Sequence, residues 1–235
     1  DMSWEKVYTE KSDFERVCKA ADKKLRGLTY REAIREALLL TMKRDNSVFI
    51  MGEGVDDPSG IFGTTTGLNR IFGSDRVFDT PIAENTMTGI ALGAAISGMK
   101  PVIIHMRMDF LLLAMDQIVN HISKWSYMFG GKLKVPLVIR SIIGRGWGAA
   151  GQHSQSLQAL FLHIPGLKVV MPATPYDAKG LLIASIEDKS PVIFIEHRLL
   201  YEHIGYVPKN SYSVPIGKGA IRKEGKDVTV VGISH

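Results

Sequence analysis

One carboxylate stands at the start of a segment that is otherwise built of small and apolar residues. Residues 79–85 read DTPIAEN, and Glu84 is the only charged side chain between Asp79 and Lys100. In the simpler interpretation, Glu84 complements the positive end of a helix dipole, which stabilises a helix by about 0.3–1 kcal/mol. In the functional interpretation, it is a partly buried carboxylate that exchanges a proton with a bound ligand. The pattern alone leaves both open.

A glycine-dense loop at residues 144–155, GRGWGAAGQHSQ, is the second candidate. Its glycines let the backbone approach a ligand closely. Histidine changes protonation near neutral pH, so His153 suits acid–base chemistry or an anionic substrate, or else is a solvated loop residue. Ser154 suits a helix N-cap. A hydrolytic Ser154–His153 pair is not expected, because neighbouring side chains rarely face each other and no G-x-S-x-G motif is present.

Two further residues carry weaker signals. Glu53 lies between two glycines and is either a turn residue or an acid at a ligand site, and Phe110 is a core aromatic or a ligand contact. The chain has no complete dinucleotide fingerprint, no G-x-x-x-x-G-K-[ST] phosphate loop and no His/Cys cluster with zinc-ligand spacing. The missing phosphate loop argues against a nucleotide-binding module. These residues alone support an α/β ligand-binding domain.

Apolar strands alternate with helices along the chain, which predicts a three-layer α/β fold with a mainly parallel sheet covered on both faces. Thr29 and Glu32 form a capping-box signature ahead of one helix. Ligands of such sheets bind beyond the carboxyl ends of the strands, which Glu53, Asp109-Phe110 and the 144–155 loop all follow. The predicted strands are 47–51, 76–78, 101–106, 135–141, 167–171 and 191–196, and the predicted helices include 84–99, 111–127, 154–163 and 176–187.

Composition bounds the class of protein. The 235 residues are 45% hydrophobic and 23% charged, which is enough for a sizeable core in one large domain or two small ones. The single cysteine, Cys18, precludes an intramolecular disulfide and fits a reducing compartment. No apolar run approaches the roughly 18 residues that span a bilayer, so no membrane association is expected. The net charge of +5 is spread along the chain and does not favour nucleic acid.

The chain divides into three predicted parts. Residues 1–27 are polar and read as an N-terminal arm with a helix over 13–24. Residues 28–207 form the main domain. Residues 208–235 read as a linker followed by a strand at 228–233, the first strand of a truncated C-terminal domain. Because the chain stops inside this apolar segment, we expect it to be part of a longer subunit.

Several motifs, in order from about Leu28 to Gly232, resemble one family: the beta subunit of the thiamin-diphosphate-dependent decarboxylase (dehydrogenase) component of 2-oxo acid dehydrogenase complexes. Pyruvate, branched-chain and acetoin dehydrogenases belong to this group, which is kin to transketolase. The segments that carry the resemblance are GEGV (52–55), GIFGTTTGL (60–68), RVFDTPIAEN (76–85), GIALGAAISGMKPV (89–102), DFLLLAMDQIVNHISKWSYMFGG (109–131), GQHSQSLQALFLHIPGLKVVMPATPYDAKGLL (151–182) and SPVIFIEHRLLY (190–201).

The resemblance implies a thiamin-diphosphate-binding fold and its pyrimidine-binding domain. Glu84 matches the glutamate that hydrogen-bonds N1′ of the aminopyrimidine, so that the 4′-imino nitrogen can remove the proton from thiazolium C2. Phe110 matches the aromatic that packs on the pyrimidine. His153 matches the histidine that contacts substrate and assists acyl transfer to the lipoyl group. Glu53 falls at the acidic position proposed to link the two active sites of the tetramer.

The resemblance also implies metal ions and partners. A structural potassium site formed by backbone carbonyls would fall on Leu137, Ser185, Ile186, Asp188 and Ser190. The Gly-Asp-Gly…Asn motif that binds magnesium and diphosphate is absent from this chain, and two-chain members carry it on the alpha subunit. The implied partners are an alpha-type subunit, a second beta subunit and a lipoyl acyltransferase core. The implied location is cytoplasmic, or the mitochondrial matrix in a eukaryote.

The predicted function is therefore a half-site for oxidative decarboxylation of a 2-oxo acid, or for acetoin, active only with the alpha-type subunit. His105, Arg107, Met108 and Leu113 depart from the family pattern next to the substrate pocket, which leaves the choice of substrate open. A fragment of a transketolase or a deoxyxylulose-phosphate synthase is an alternative, although the GQHSQS loop argues against it. A non-catalytic scaffold homologue is another, against which the joint presence of Glu84, Phe110 and His153 speaks.

Overall fold

The computed structural model describes residues 7–20, 25–57, 62–146 and 148–235 of the chain. Nine strands and eight α-helices are found within these residues. The strands are β1 (Val7–Tyr8), β2 (Gly27–Thr29), β3 (Val48–Gly52), β4 (Val77–Asp79), β5 (Lys100–His105), β6 (Val138–Ile143), β7 (Lys168–Val170), β8 (Val192–His197) and β9 (Ile204–Tyr206). The α-helices are α1 (Lys11–Ala20), α2 (Tyr30–Arg44), α3 (Leu68–Phe72), α4 (Glu84–Ile96), α5 (Met108–Leu111), α6 (Trp125–Met128), α7 (Gln158–Leu162) and α8 (Pro175–Glu187).

Six strands form a main sheet in the order β4-β3-β5-β6-β8-β7, and every neighbouring pair is parallel. Every residue of β3 and β6 is buried, which is the pattern of strands covered on both faces. The six predicted strands all occur, with boundaries that shift by up to three residues. The prediction of a three-layer α/β fold with a mainly parallel sheet is confirmed.

Helices cover the two faces of the sheet with separate apolar clusters. On one face α2 packs along α8, and Ile34, Leu38 and Leu182 are fully buried there. On the other face α4 packs against residues 112–122, and Ala91 and Ile118 are fully buried. The predicted capping box starts α2, with the Thr29 side chain accepting from the Glu32 amide and the Glu32 carboxylate accepting from the Thr29 amide.

A second, small sheet lies outside the main one. It has the antiparallel order β1-β9-β2, and α1 places the Phe14 ring directly over Gly27, where an added Cβ would come within 2.5 Å of that ring. Strands of two or three residues are too short to show an alternation of apolar and polar side chains, so none of these three strands was predicted from the sequence. The helix predicted over 13–24 is α1 at Lys11–Ala20, and residues 21–24 lie outside the described ones.

Two predicted helices differ from the observed backbone. The helix expected over 111–127 is a succession of α5, a 3-10 turn (Leu112–Ala114), a π-helix (Asp116–Ile122) and α6. Apolar periodicity does not separate these helix types, because their periods are too similar over so few residues. The helix expected over 154–163 is only the five residues of α7.

Residues 208–235 form no strand or helix. The strand predicted over 228–233 is wrong in this structure: Val228, Val230 and Val231 are each more than 75% exposed, and a strand needs a paired neighbour to satisfy its backbone groups. In the part of the chain that the structure describes, no helix combines the length and apolar character needed to cross a bilayer.

A buried ion pair lies in the middle of the main sheet. The Arg140 Nε on β6 donates to the Glu196 carboxylate on β8 at 2.6 Å, and both side chains are at most 2% exposed. The Tyr201 hydroxyl donates to the second oxygen of Glu196 at 2.7 Å. Burial and the charge of Glu196 raise the pKa of Tyr201 well above its usual value, so the phenol remains a donor. The two charges compensate each other where no water is available.

Removing one partner of this pair should destabilise the fold strongly. A Glu196→Ala variant leaves the Arg140 charge buried without compensation, which should lower the free energy of unfolding by about 3–5 kcal/mol. Glu202→Ala is the control, because it breaks the exposed Arg31–Glu202 pair and should cost less than about 1 kcal/mol. Urea denaturation at neutral pH measures both, and equal losses would contradict a structural role for the buried pair.

Candidate active site at the carboxyl ends of the central strands

Two acidic residues meet where β3 and β4 end. Glu53 directly follows β3, and Glu84 is the first residue of α4. Gly52 has a φ of 149°, and an added Cβ would lie 2.4 Å from the Ile104 carbonyl oxygen. Only glycine fits this close approach of β3 to β5. The backbone therefore turns at Gly52 in a way that brings Glu53 towards Glu84.

Asp79, at the end of β4, fixes the turn that follows Glu53. Its carboxylate accepts from the amides of Gly54, Val55 and Asp56 at 3.1, 2.6 and 3.2 Å. Three donors on one carboxylate hold the loop against the end of the neighbouring strand. The sequence analysis did not assign this role to Asp79, although its position between a strand and Thr-Pro is where such a loop anchor occurs.

The Glu84 carboxylate is nearly buried and has no hydrogen-bond donor among the described residues. Its side chain is 8% exposed. A buried carboxylate without a donor is costly, and it is therefore prepared to bond a ligand. Burial raises the pKa of Glu53, and the negative charges of Glu84 and Asp79 raise it further. Glu53 and Glu84 thus form an interacting acidic pair.

Phe110 and His153 are brought together from two different loops. Phe110 lies on α5 just after β5, and His153 ends a 3-10 turn (Gly151–His153) in the loop after β6. Their ring centroids are 5.0 Å apart and their planes meet at 71°, an edge-to-face contact. Because β5 and β6 are neighbours, their loops emerge at the same edge of the sheet.

Ser154 does not cap a helix. It follows the 3-10 turn, and α7 starts four residues later with Leu157 at its N-cap and no side-chain cap bond. The predicted N-cap role of Ser154 is therefore wrong. Residues 154–157 form neither a helix nor a strand, so the local signal for a cap is overridden by the course of the loop.

His105 is the last residue of β5 and is buried. Its Nε2 lies 2.9 Å from the Thr88 hydroxyl on α4, and its Nδ1 has no partner among the described residues. Burial lowers the pKa of His105 from 6.5 to about 4. His105 is therefore neutral at physiological pH, and it joins β5 to the helix that starts with Glu84.

The five residues predicted for potassium lie at the opposite edge of the sheet. They precede β6 and β8 or end α8. The Leu137 carbonyl accepts from the Val192 amide at 2.9 Å, and the Asp188 carboxylate accepts from the Ser190 amide and the Lys168 ammonium. Ser185 and Ile186 lie in the last turn of α8, where carbonyls lack helical partners.

Comparison with known proteins identifies relatives of this chain. Residues 26–203 match the family described as transketolase, pyrimidine binding domain. The chain is 48% identical over 216 residues to the acetoin:2,6-dichlorophenolindophenol oxidoreductase subunit beta of Cupriavidus necator, covering 88% of this chain and 64% of that protein. It is 44% identical over 205 residues to the 2-oxoisovalerate dehydrogenase subunit beta of Bacillus subtilis, with coverages of 87% and 63%. The chain thus spans slightly less than two thirds of the length of these relatives.

Two further comparisons concern a third relative and the fold. The chain is 46% identical over 205 residues to the pyruvate dehydrogenase E1 component subunit beta of Rhizobium meliloti, covering 87% of this chain and 45% of that protein. A solved structure described as a split gene transketolase, inactive beta4 tetramer, matches with a TM-score of 0.63 and 22% identity over 85% of this chain and 60% of that one. At that identity the likeness shows the fold alone.

The burial of His105 predicts a pH dependence of stability. The native state binds fewer protons than the unfolded state between pH 6.5 and 4, so the contribution of neutral His105 is complete above pH 6.5 and is lost as pH falls towards 4. A shift of this size corresponds to about 3 kcal/mol. In urea denaturation, the stability advantage of wild type over His105→Gln should shrink by about that amount from pH 7 to pH 4.

His163→Gln is the control for this measurement, because His163 is exposed. The difference between wild type and His163→Gln should stay constant over the same pH range. A constant difference for His105→Gln as well would show that His105 is not buried in its neutral form.

Proposed function

The chain belongs to the family of the transketolase pyrimidine-binding domain, and on that premise we propose that it supplies the pyrimidine half of a thiamin-diphosphate site. The site belongs to a dehydrogenase component that acts on a 2-oxo acid or on acetoin. The relatives named above are beta subunits of an acetoin oxidoreductase, a 2-oxoisovalerate dehydrogenase and a pyruvate dehydrogenase. The proposal concerns the whole subunit, of which this chain is the matching part.

The observation that carries the proposal is the Glu84 carboxylate. It is 8% exposed, it starts α4 at the carboxyl edge of the sheet, and it has no donor among the described residues. An aminopyrimidine nitrogen is a partner that such an acid can bond directly. The residues present therefore fit the pyrimidine of the cofactor.

The other candidates would surround the same ring. Phe110 would pack on the pyrimidine, and Glu53 would exchange protons with Glu84. His153, held edge-on to Phe110, would contact the substrate. When bound, thiamin diphosphate supplies a nucleophilic carbon and an electron sink for decarboxylation.

In this proposal, the acidic residues of this chain control the position of one proton on the cofactor. Glu84 would hold a proton at N1′ of the pyrimidine in a site shielded from water, where a hydrogen bond to a charged group is strengthened. Glu53, whose pKa burial raises, would keep that proton mobile, because two neighbouring carboxylates cannot both ionise freely. His153 would donate or accept a proton at the substrate oxygen.

The site would be completed by partners. We propose that an alpha-type subunit holds the magnesium and the diphosphate, that a second beta subunit joins the assembly, and that a lipoyl acyltransferase core receives the acyl group. The names of the relatives as subunit beta support the first of these. Large exposed apolar side chains near the site fit such interfaces, and they include Ile82, Ile90 and Leu113.

Three finer proposals accompany this function. Potassium would bind carbonyls at Leu137, Ser185, Ile186, Asp188 and Ser190, which the negative end of α8 supports. Residues 1–27, 28–207 and 208–235 would be an arm, the pyrimidine-binding domain, and the linker to a further domain. The single cysteine supports a reducing compartment, namely the cytoplasm or, in a eukaryote, the mitochondrial matrix.

The test is activity of the assembled enzyme. The subunit is co-expressed with an alpha-type subunit and assayed for dye reduction with thiamin diphosphate, magnesium and, in turn, pyruvate, branched-chain 2-oxo acids or acetoin. Glu84→Gln removes the acid that holds the N1′ proton, so kcat should fall by about 100- to 10,000-fold. Glu15→Gln, on the exposed face of α1, is the matched control and should retain wild-type activity.

Cofactor binding and assembly are measured in parallel. Size-exclusion chromatography should show that Glu84→Gln assembles like wild type, because the fold does not depend on this side chain. Full activity of Glu84→Gln would overturn the assigned role of Glu84. An assembled wild-type enzyme that is inactive with every substrate would favour the scaffold alternative instead.

A further inference from the structure

The loop that carries His153 is held at both ends by side chains from one turn. Arg107 is the N-cap residue of α5, and Asp109 lies in the first turn of that helix. Arg107 donates from Nη1 to the Gly144 carbonyl at 2.9 Å, at the start of the loop. Asp109 accepts through Oδ1 from the Gln155 amide at 3.2 Å and from the Gln155 side chain at 2.8 Å, at the end of the loop.

Arg107 and Asp109, the two side chains that hold the loop, are both charged and nearly buried. Arg107 is 6% exposed and Asp109 is 9% exposed. Within the described residues Arg107 forms no ion pair, and Asp109 Oδ2 has no hydrogen-bond partner. Burial lowers the pKa of Arg107, while the charge of Asp109 opposes that shift. Burying two charges without a direct ion pair is unfavourable, so their contacts with the loop need a reason other than stability.

Between the contacts at Gly144 and Gln155, the loop contains a strained backbone conformation at Ala150. Ala150 has a φ of 52° and a ψ of −164°, a combination that residues with a side chain rarely adopt. Such a conformation persists only where the surrounding contacts enforce it. The strained residue immediately precedes the turn Gly151–His153. A loop without its anchors would relax, and His153 would move with it.

Asp109 connects the two chain segments that carry the rings of Phe110 and His153. Phe110 is the next residue in the chain, and Gln155 lies two residues after His153. One carboxylate therefore joins the backbone that carries Phe110 to the backbone that carries His153. The edge-to-face contact of the two rings, at 5.0 Å between centroids, lies between these two attachment points.

We propose that Asp109 is a positioning residue that holds His153 against Phe110 through its two hydrogen bonds to Gln155. Arg107 supports this role by fixing the other end of the loop. The proposal rests on the proposed function, because it assigns the reason for which His153 must be held. In this role, Asp109 itself contacts neither substrate nor cofactor.

The kinetic test uses the enzyme assembled with its alpha-type subunit. Asp109→Ala removes both hydrogen bonds to Gln155, so kcat should fall by about 10- to 100-fold, the effect of misplacing a catalytic group by about 1 Å. The KM for the 2-oxo acid or acetoin should stay within about threefold, because a contact needed only in the transition state is lost. Asp109→Asn keeps an oxygen that can accept both bonds and should retain most of the activity.

Asp177→Ala is a matched control for the loss of a buried carboxylate. Asp177 is also nearly buried, accepts from Thr174 through one oxygen and leaves the other without a partner among the described residues. It lies on α8, away from the His153 loop. The Asp177→Ala substitution should lower thermal stability about as much as Asp109→Ala does, while leaving kcat near the wild-type value. A similar fall of kcat in both variants would reduce Asp109 to a structural role and overturn the proposal.

A paired substitution tests the contact itself. Gln155→Glu loses the side-chain donor and places a second carboxylate beside Asp109, so kcat should fall. Combining Gln155→Glu with Asp109→Asn restores a donor and an acceptor with their positions exchanged. The double variant should therefore be more active than Gln155→Glu alone. Additive losses in the double variant would contradict the proposed contact.

Hydrogen exchange supplies a readout that does not need activity. The Gln155 amide donates to Asp109, so peptides covering residues 148–157 should exchange faster in Asp109→Ala and at nearly the wild-type rate in Asp109→Asn. Unchanged exchange in Asp109→Ala would overturn the proposal whether or not the enzyme is active. An inactive wild-type assembly with altered exchange would instead count against the proposed function and leave the loop contact standing.

Discussion

The parallel pairing of β3, β5 and β6 is the constraint on which the site depends. Because these strands are neighbours and run in one direction, the segments that follow them emerge at the same edge of the sheet. Glu53, Phe110 and His153 are far apart in the chain, yet all three follow strands that end at this edge, where the rings of Phe110 and His153 are in contact. Two other features belong to the same sheet. Gly52 has no side chain, which lets β3 approach β5 closely, and the buried Arg140–Glu196 ion pair joins β6 to β8.

The site contains buried acidic side chains whose hydrogen bonding within the described residues is incomplete. Glu84 has no donor among the described residues, the pKa of Glu53 is raised, and Asp109 leaves one oxygen without a partner in the same part of the chain. The buried Glu196 carboxylate, by contrast, accepts hydrogen bonds through both oxygens, from Arg140 and from Tyr201. Buried atoms without a partner also occur elsewhere among the described residues, as Arg140 Nη1 and Asp177 Oδ1 show, but those of Glu84 and Asp109 lie at the edge where a ligand is proposed to bind.

Sequence reasoning was most successful where one signal decided the structure. The capping box at Thr29, the apolar strands and the start of a helix at Glu84 were all confirmed, because local hydrogen bonds and burial on both faces are reflected directly in the order of residue types. It failed where short elements depend on distant partners. The strands β1, β2 and β9 pair only after the chain has folded back, and Ser154 lies outside any helix because the loop is held from α5.

The residue types alone determined an α/β fold with a parallel sheet, and the ordered motifs determined the family. They did so because burial patterns and side-chain chemistry are properties of the chain itself. Only the tertiary structure decided that Asp79 anchors the loop after Glu53, that His105 is enclosed beside Thr88, and that Arg107 and Asp109 grip the loop of His153. These are contacts between segments far apart in sequence, and their strength depends on burial and distance, which residue order does not record.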